Sequence, residues 1–594
     1  MKNKILTVLL AALTFTSCDD FLTRPPMDTV TDTPEFWNNE ANYRTMFWAF
    51  YDVYFDGYKS GWTRSNWFTE TNIADWNDDN AQKSPRLFTK QAPTSGGWSY
   101  TYVRRYNQLI NRAANSALPG EAKKHWEGVG RFFRAMQYSK MVQDYGDVPW
   151  IDEVIESDNE EVLYKARDPR TTVMDNVLAD FQFATQNLRV SDGVAGLTVN
   201  KAVALAFMSR MMLFEGTWQK YRAKNNEAAK KYLQAAKDAA DELMAMGTYS
   251  LHPNFKELTT SESLAGNKEM IIYREYLEGV MMHSVMSFQN TEAEHSSPSR
   301  SYVETYLSAN GLPIHQAENT MYKGDKWFFD EFADRDPRMY DNICPKGLRL
   351  EGPEVVYAAT GYFAHLFVNE SLKDKPGGIS STNITDAPIM KLNEVMMNYI
   401  EAAVELSTLG AYNLTQADFD KTINAVRART STSMPAVTFA GGKLSVGGIE
   451  INDPDRDMGT MISGDYEVDP IVWEVRRERR VELPFQGIRF NDLRRWGKLH
   501  YADMVINKNL NKGAWLDKDQ YVAWYNAQGD KQITVDDLKS INLDRAGNAG
   551  YIVPQPDPAM LRTYEEKHYL YPIPTDEIEL YEDHEAVLTQ NPGW

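Results

Sequence analysis

EVRRERRVELPFQGIRFNDLRRW, Glu474 to Trp496, packs seven arginines into one short stretch of a chain whose formal net charge is -20. Unpaired, outward arginines at that density would make a phosphate or nucleic-acid surface. Four acids are interleaved, however: Glu474, Glu478, Glu482 and Asp492. The first three fall at i, i+4 and i+8, one stripe of a helix, with Arg477 and Arg479 within i+3 reach of Glu474 and Glu482. Val475, Val481, Leu483, Phe485, Phe490, Leu493 and Trp496 supply an apolar side that has to be buried, and Pro484 and Gly487 mark a turn between two short helices. The stretch therefore reads as a salt-bridged brace that ties late helices to a helical scaffold, with nucleic acid excluded as a partner.

Outward from that brace the chain is mostly helical. Phe36, Tyr43, Phe47 and Phe50 keep helical spacing after a cap at Asp32 or Thr33 and a first-turn Pro34. The pattern returns at Trp98, Tyr102, Leu109 and Ile110, where Trp98 reads as a packing residue. It continues over 125–145, stopped by Gly146, and over 171–188, 200–218 and 226–246. Small and large residues alternate in AAKKYLQAAKDAADELMAM, as in tetratricopeptide-like helix pairs, although no clean 34-residue repeat is present. Helix is predicted again over 389–407 and 418–429, followed by a small hairpin at FAGGKLSVGGIEI. The fold class read from this is mostly α. A scaffold at about 36–250 and 388–497 carries a loop-rich remainder with a few short strands, and residues 36–594 form a single domain.

Composition agrees with an ordinary globular body: 43% hydrophobic and 25% charged residues leave ample material for a core. The N-terminus is different. Lys2 and Lys4 precede an apolar run, Ile5 to Phe15, too short to span a bilayer, and Phe15-Thr16-Ser17 leads into Cys18. That arrangement resembles a bacterial lipoprotein signal over residues 1–17, with Cys18 as the lipid attachment point and 18–35 as a polar tether. Loss of the two lysines takes the formal charge from -20 to -22. Cys344 is the one other cysteine, so no internal disulfide is expected. The chain is read as anchored to a membrane rather than spanning it.

Motifs for chemistry are missing from the sequence. It has no His-Glu-x-x-His, no GxxxxGK, no dinucleotide GxGxxG and no GxSxG elbow. Asp75, Asn77 and Asp79 imitate the start of a calcium loop, as do Asp453, Asp455 and Asp457. Asn80 and Met458 stand where each loop needs glycine, so both read as solvated acidic turns. No cofactor or metal is expected, and no catalytic residue is nominated.

Several segments in order resemble the SusD/RagB family of outer-membrane nutrient-binding lipoproteins. SCDDFLTRPP is similar to the family's start, and Trp98, Tyr102 and Asn107 to its early helix. RFFRAMQYSKMVQDYGDVPW is similar to its arginine-alanine helix. SPSRSYVETYLSANGLPI and RDPRM resemble its middle motifs, and KLNEVMMNYIEAAVEL with INAVRART its late helices. ERRVELPFQGIRFNDLRRWG is the most recognisable block, and YPIPTDEIEL with LTQNPGW its ending. Gln486, Lys391 and Asn393 depart from the usual choices. The resemblance implies a tetratricopeptide-like fold and no catalytic activity. It also implies a surface-exposed lipoprotein that captures oligosaccharide, or in some members peptide, for a SusC-type TonB-dependent transporter. A lipid-anchored glycoside hydrolase is the alternative from another class.

Sugar rings present faces of axial hydrogens on which flat aromatics stack, with polar neighbours bonding the hydroxyls. DGYKSGWTRSNWFTETNIADWNDDNAQ is loop-like in composition yet carries Tyr58, Trp62, Trp67 and Trp76, with Asn66, Asn72 and Asn77 as polar partners. These aromatics are the first candidates for glycan contact; Tyr322 and Trp327 are the second.

Overall fold

The computed structural model describes residues 33–63, 76–155, 158–290, 297–348, 350, 358–459, 461, 467–529 and 532–594. Its frame is a succession of helices: Thr101–Asn115, Gly120–Tyr145, Arg170–Asn187, Lys201–Trp218, Asn226–Ala245, Leu392–Thr408 and Pro470–Glu482. Each packs on the next in that order, in tetratricopeptide-like pairs. The boundaries follow from local chemistry. Asn200 and Asn225 cap their helices by accepting from the Val203 and Ala228 N–H groups. Asp469 does the same for Ile471 and Val472, with Pro470 in the first turn. Gly146, at φ 79°, ends the Gly120–Tyr145 helix as expected, and its N–H donates to the Val142 carbonyl.

Close approach between neighbours depends on small residues. A Cβ at Gly216 would meet the Leu233 backbone nitrogen at 2.8 Å, so the Lys201–Trp218 and Asn226–Ala245 helices can touch only across a glycine there. The core between the helices is aromatic and aliphatic, with Tyr106, Phe132, Phe133, Phe181, Phe207, Leu233 and Ile400 all buried. Each such side chain contributes roughly 1.5–3 kcal/mol through burial.

Three boundaries differ from the sequence reading. The first helix starts at Glu40, capped by Asn39, and residues Phe36–Asn38 form a separate 3-10 turn. The segment read as helix from Ile389 begins as a strand, Ala387–Lys391, antiparallel to Met270–Arg274; the helix opens only at Leu392. Sheet pairing with a distant, largely buried strand outweighs the local helical spacing. The single helix read over 418–429 is two short ones, Gln416–Asp420 and Ile423–Arg427. The predicted hairpin is a three-stranded meander, Thr438–Ala440, Lys443–Val446 and Ile449–Glu450.

The loop-rich remainder makes its own apolar cluster, in which Tyr58, Phe255, Tyr276, Tyr302, Phe332, Phe367 and Ile552 are buried together. Val481 and Phe485 of the arginine-rich stretch belong to this cluster, whereas Val472 and Val475 belong to the core between the helices. Short antiparallel pairs, Asn80–Ala81 with Ser297–Pro298 and Trp515–Asp517 with Ala549–Tyr551, stitch distant loops together. Among the described residues no helix is long and apolar enough to cross a membrane.

Candidate functional site

All seven arginines of the opening stretch are committed within the protein. Glu478 takes Arg427 at 2.8 Å and Arg338 at 2.7 Å; Glu482 takes Arg429 at 2.6 Å and Arg338 at 2.9 Å. Arg495 bridges Glu401 and Asp492, and Arg479 holds Asp492 and the Asn398 side chain. Arg477 reaches Glu474 at the expected i+3 spacing and also Asp453, while Arg476 pairs with Glu405. Arg494 donates to the backbone carbonyls of Tyr569 and Gln143. Arg479 does not use Glu482 as spacing suggests, because Arg429 and Arg338 already occupy that carboxylate. The stretch is a brace that joins the late helices to the middle segment through the Arg338 guanidinium.

The brace also grips the aromatic loop. Arg489 forms a two-pronged bond to Asp78 at 2.7 and 2.9 Å, and Arg480 reaches Asp79 at 2.7 Å. Burial pushes the Asp78 carboxyl up, but the Arg480 and Arg489 guanidiniums outweigh it and hold the pKa below the usual range. The Asp78 and Asp79 carbonyls in turn accept from Ser299, so the end of the loop is locked against the start of the next segment. This corrects the reading of solvated acidic turns. Asp79 and Asn77 are buried, and Asp75 lies outside the described residues. In the second cluster Asp453 pairs with Arg477, Asp455 with His315, and Asp457 with Lys498. A cavity of about 80 Å³ beside the brace is lined by Trp473, Trp496 and four of these arginines, each of which already has an acidic partner.

The structure divides the aromatic candidates. Tyr58 is 2% exposed and sits among Tyr276, His283 and Phe367; Trp76 is also 2% exposed and packs on Phe88 and Phe490. Both are core residues, so neither ring is open to a ligand. Trp98 is buried against Tyr145, as its spacing suggested. Trp67, Asn66 and Asn72 lie outside the described residues. Trp62 is different: 52% exposed, it meets the buried Phe288 edge-to-face at 5.6 Å, and Gly61 beside it is hydrogen-bonded to the Met282 carbonyl at 2.8 Å. The contact holds the indole while leaving half of it in solvent. The division has a direct test. Trp76→Ala is expected to cost about 3–5 kcal/mol of stability, read as a lowered urea midpoint, because it opens a cavity in packed core.

Tyr322 and Trp327 are half-buried but face different neighbours. Tyr322 meets His315 and the Arg335 guanidinium, whereas Trp327 meets Phe329 and Trp524. Next to Trp327, the Lys326 ammonium lies 4.0 Å from the Trp515 ring centre and 4.3 Å from that of Tyr551. Trp515 and Tyr551 are directly opposed on the paired strands Trp515–Asp517 and Ala549–Tyr551. Sequence reasoning named Trp327 but missed Trp515, Trp524 and Tyr551 near it. The one local signal of this second aromatic surface is the helical spacing of Tyr521, Trp524 and Tyr525, which reads equally well as core.

The chain matches the model of the SusD family over residues 286–594. SusD-like protein P2 of Formosa agariphila is 24% identical over 452 residues, covering 72% of this chain and 74% of that protein. A SusD-like carbohydrate binding protein of Bacteroides fragilis superposes with a TM-score of 0.63 at 21% identity, over 92% of this chain and 99% of that one. Surface glycan-binding protein A of Bacteroides fluxus does so at 0.53 and 15%, over 94% and 100%. At those identities the two structures show a shared fold alone. The family match spans more than half the chain and includes the whole arginine-rich brace, and on that ground the chain belongs to the SusD family.

Proposed function

We propose that this protein is a cell-surface glycan-binding lipoprotein. It captures oligosaccharides and delivers them to a SusC-type TonB-dependent transporter, held at the outer membrane by lipid on Cys18. In this reading residues 18–35 are the tether, of which 33–35 fall among the described residues, and 36–594 form a single domain behind it. Family membership supports the class, as do the carbohydrate- and glycan-binding names of two proteins that share the fold. The observation that carries the reading is Trp62, a half-exposed indole that meets the buried Phe288 edge-to-face. An open indole there offers the apolar face that a pyranose ring needs.

The reading takes the protein to bind without cleaving. Purified protein incubated with a panel of polysaccharides is expected to retard in affinity electrophoresis with at least one of them and to release no reducing ends. Released product would instead support a lipid-anchored glycoside hydrolase, and retention of peptides but no glycan would place the protein with peptide-binding members. Pull-down from detergent-solubilised outer membrane is expected to bring a large barrel protein with it; its absence would remove the transporter from the proposal.

A further inference from the structure

The second aromatic surface carries an unusual charge arrangement for a chain of net charge -20. Four cations gather around two rings, one of them the buried Arg300, 4.5 Å from the Tyr551 ring centre. Lys326 lies over both Trp515 and Tyr551, Arg545 is 5.0 Å from the Trp515 ring centre, and Lys512 is 5.3 Å from that of Tyr551. The rings fix the cations by attraction to their negative faces. The acids that balance them lie beneath: the side chains of Lys326 and Arg545 are 59% and 52% exposed, those of Asp325 and Asp544 only 15% and 18%. Asp325 is further occupied by Arg300 and by the Tyr551 hydroxyl. Asp544 accepts from the Tyr551 backbone N–H as well as from Arg545. Lys512 has no salt-bridge partner among the described residues. Of the three donors on the Lys326 ammonium, Tyr551 and Asp325 take two. What this surface turns toward solvent is therefore positive.

We propose that Lys326, Lys512 and Arg545 form a site for an acidic sugar residue, one that carries a carboxylate or a sulfate ester. Trp327, next in sequence to Lys326 and half-buried against Trp524, supplies the neighbouring apolar face. An acidic pyranose presents both features, a C–H face and an anion at the ring's edge, and the surface matches them with an aromatic ring and a cation in adjacent positions. The acidic body of the protein repels any long polyanion at range, so the site suits an acidic residue on a short oligosaccharide rather than a phosphate polymer. The inference rests on the glycan-binding reading above and names a substrate class for it, through residues separate from Trp62.

The test is calorimetric titration of the full chain with three probes of similar length: oligogalacturonate, a sulfated galactan oligosaccharide and neutral dextran oligosaccharide. At least one acidic probe is expected to bind, more weakly as salt rises. The surface variant K512A/R545A should lose about tenfold or more of that affinity while keeping its affinity for neutral glycan. The carboxylate and sulfate arms tell which anion the cations prefer. Neutral binding without acidic binding would overturn this inference and leave the proposed function standing. Unchanged acidic affinity in K512A/R545A would overturn it too, as would equal binding of single-stranded DNA. Loss of acidic binding in Trp62→Ala, to the same extent as neutral binding, would move the acidic sugar to the Trp62 surface and end the inference. Binding of no glycan at all would remove both.

Discussion

Glu478→Gln is expected to lower the stability of the protein by about 3–5 kcal/mol, because it withdraws the charge that two buried guanidiniums share. Glu478 is buried, with Arg427 and Arg338 both within 2.8 Å of its carboxylate. Arg338 keeps Asp336 and Glu482 after the change, but the Arg427 guanidinium has its bonds to Glu478 and to the Pro435 carbonyl, and loses the charged one. The variant should show a lowered urea midpoint and a diminished near-ultraviolet dichroism signal. A variant with the native midpoint would show that the brace is dispensable. The same carboxylate ties stability to pH. Burial alone would push its pKa up, yet Arg338 and Arg427 hold it at about 2, below the ordinary 4.5. A depressed folded-state pKa means the stabilisation is complete above about pH 5 and is lost as the pH falls from 4.5 toward 2. The stability gap between wild type and Glu478→Gln should therefore close over that window, a result that simple loss of packing would not produce.

How much of this could be read in the chain depends on the distance over which each residue finds its partners. Helix ends at Gly146, Asn200 and Asn225 involve groups within four residues; the Gly146 stop was legible, and the two helices start within one residue of the predicted 200 and 226. The brace was legible as a brace because its acids and apolar residues lie inside the same stretch. Its partners were not: Glu478 looks to Arg427, and Arg489 to Asp78, 411 positions away. Asp78 and Asp79 therefore resembled a solvated turn, since nothing nearby in sequence buries them. The aromatic loop failed for the same reason. Tyr58 docks on Tyr276, 218 residues on, and Trp76 on Phe490, so a Gly-, Asn- and Asp-rich neighbourhood hid two core residues. Trp62, in the same composition, stays half-exposed, and its ring contact among the described residues is with Phe288. The strand at Ala387–Lys391 was hidden behind good helical spacing, and only its pairing with Met270–Arg274 decides it. The second aromatic surface joins residues near 326 to residues near 515 and 551, a meeting that no local pattern announces.

Those differences sharpen the decisive binding experiment. Joint removal of Trp62, Trp67 and Trp76 would confound binding with folding, because Trp76 is packed core. Trp62→Ala alone is the clean substitution. Its ring is half in solvent and contacts Phe288 at one edge, so the change should move the urea midpoint by less than about 1 kcal/mol in equivalent stability. Binding should respond far more. An aromatic anchor at the centre of a small contact commonly contributes about 2 kcal/mol or more, so affinity for the cognate neutral glycan is expected to fall by at least about thirtyfold. Trp62→Phe should recover part of that loss, since a smaller ring still offers a flat apolar face, whereas Trp62→Leu should not. Equal loss in Phe and Leu variants would mean that the indole N–H, not the ring face, makes the contact. Unchanged affinity in Trp62→Ala, with the fold intact, would take the neutral-glycan site away from Trp62 and leave Trp67, Tyr322 and Trp327 as the candidates for it.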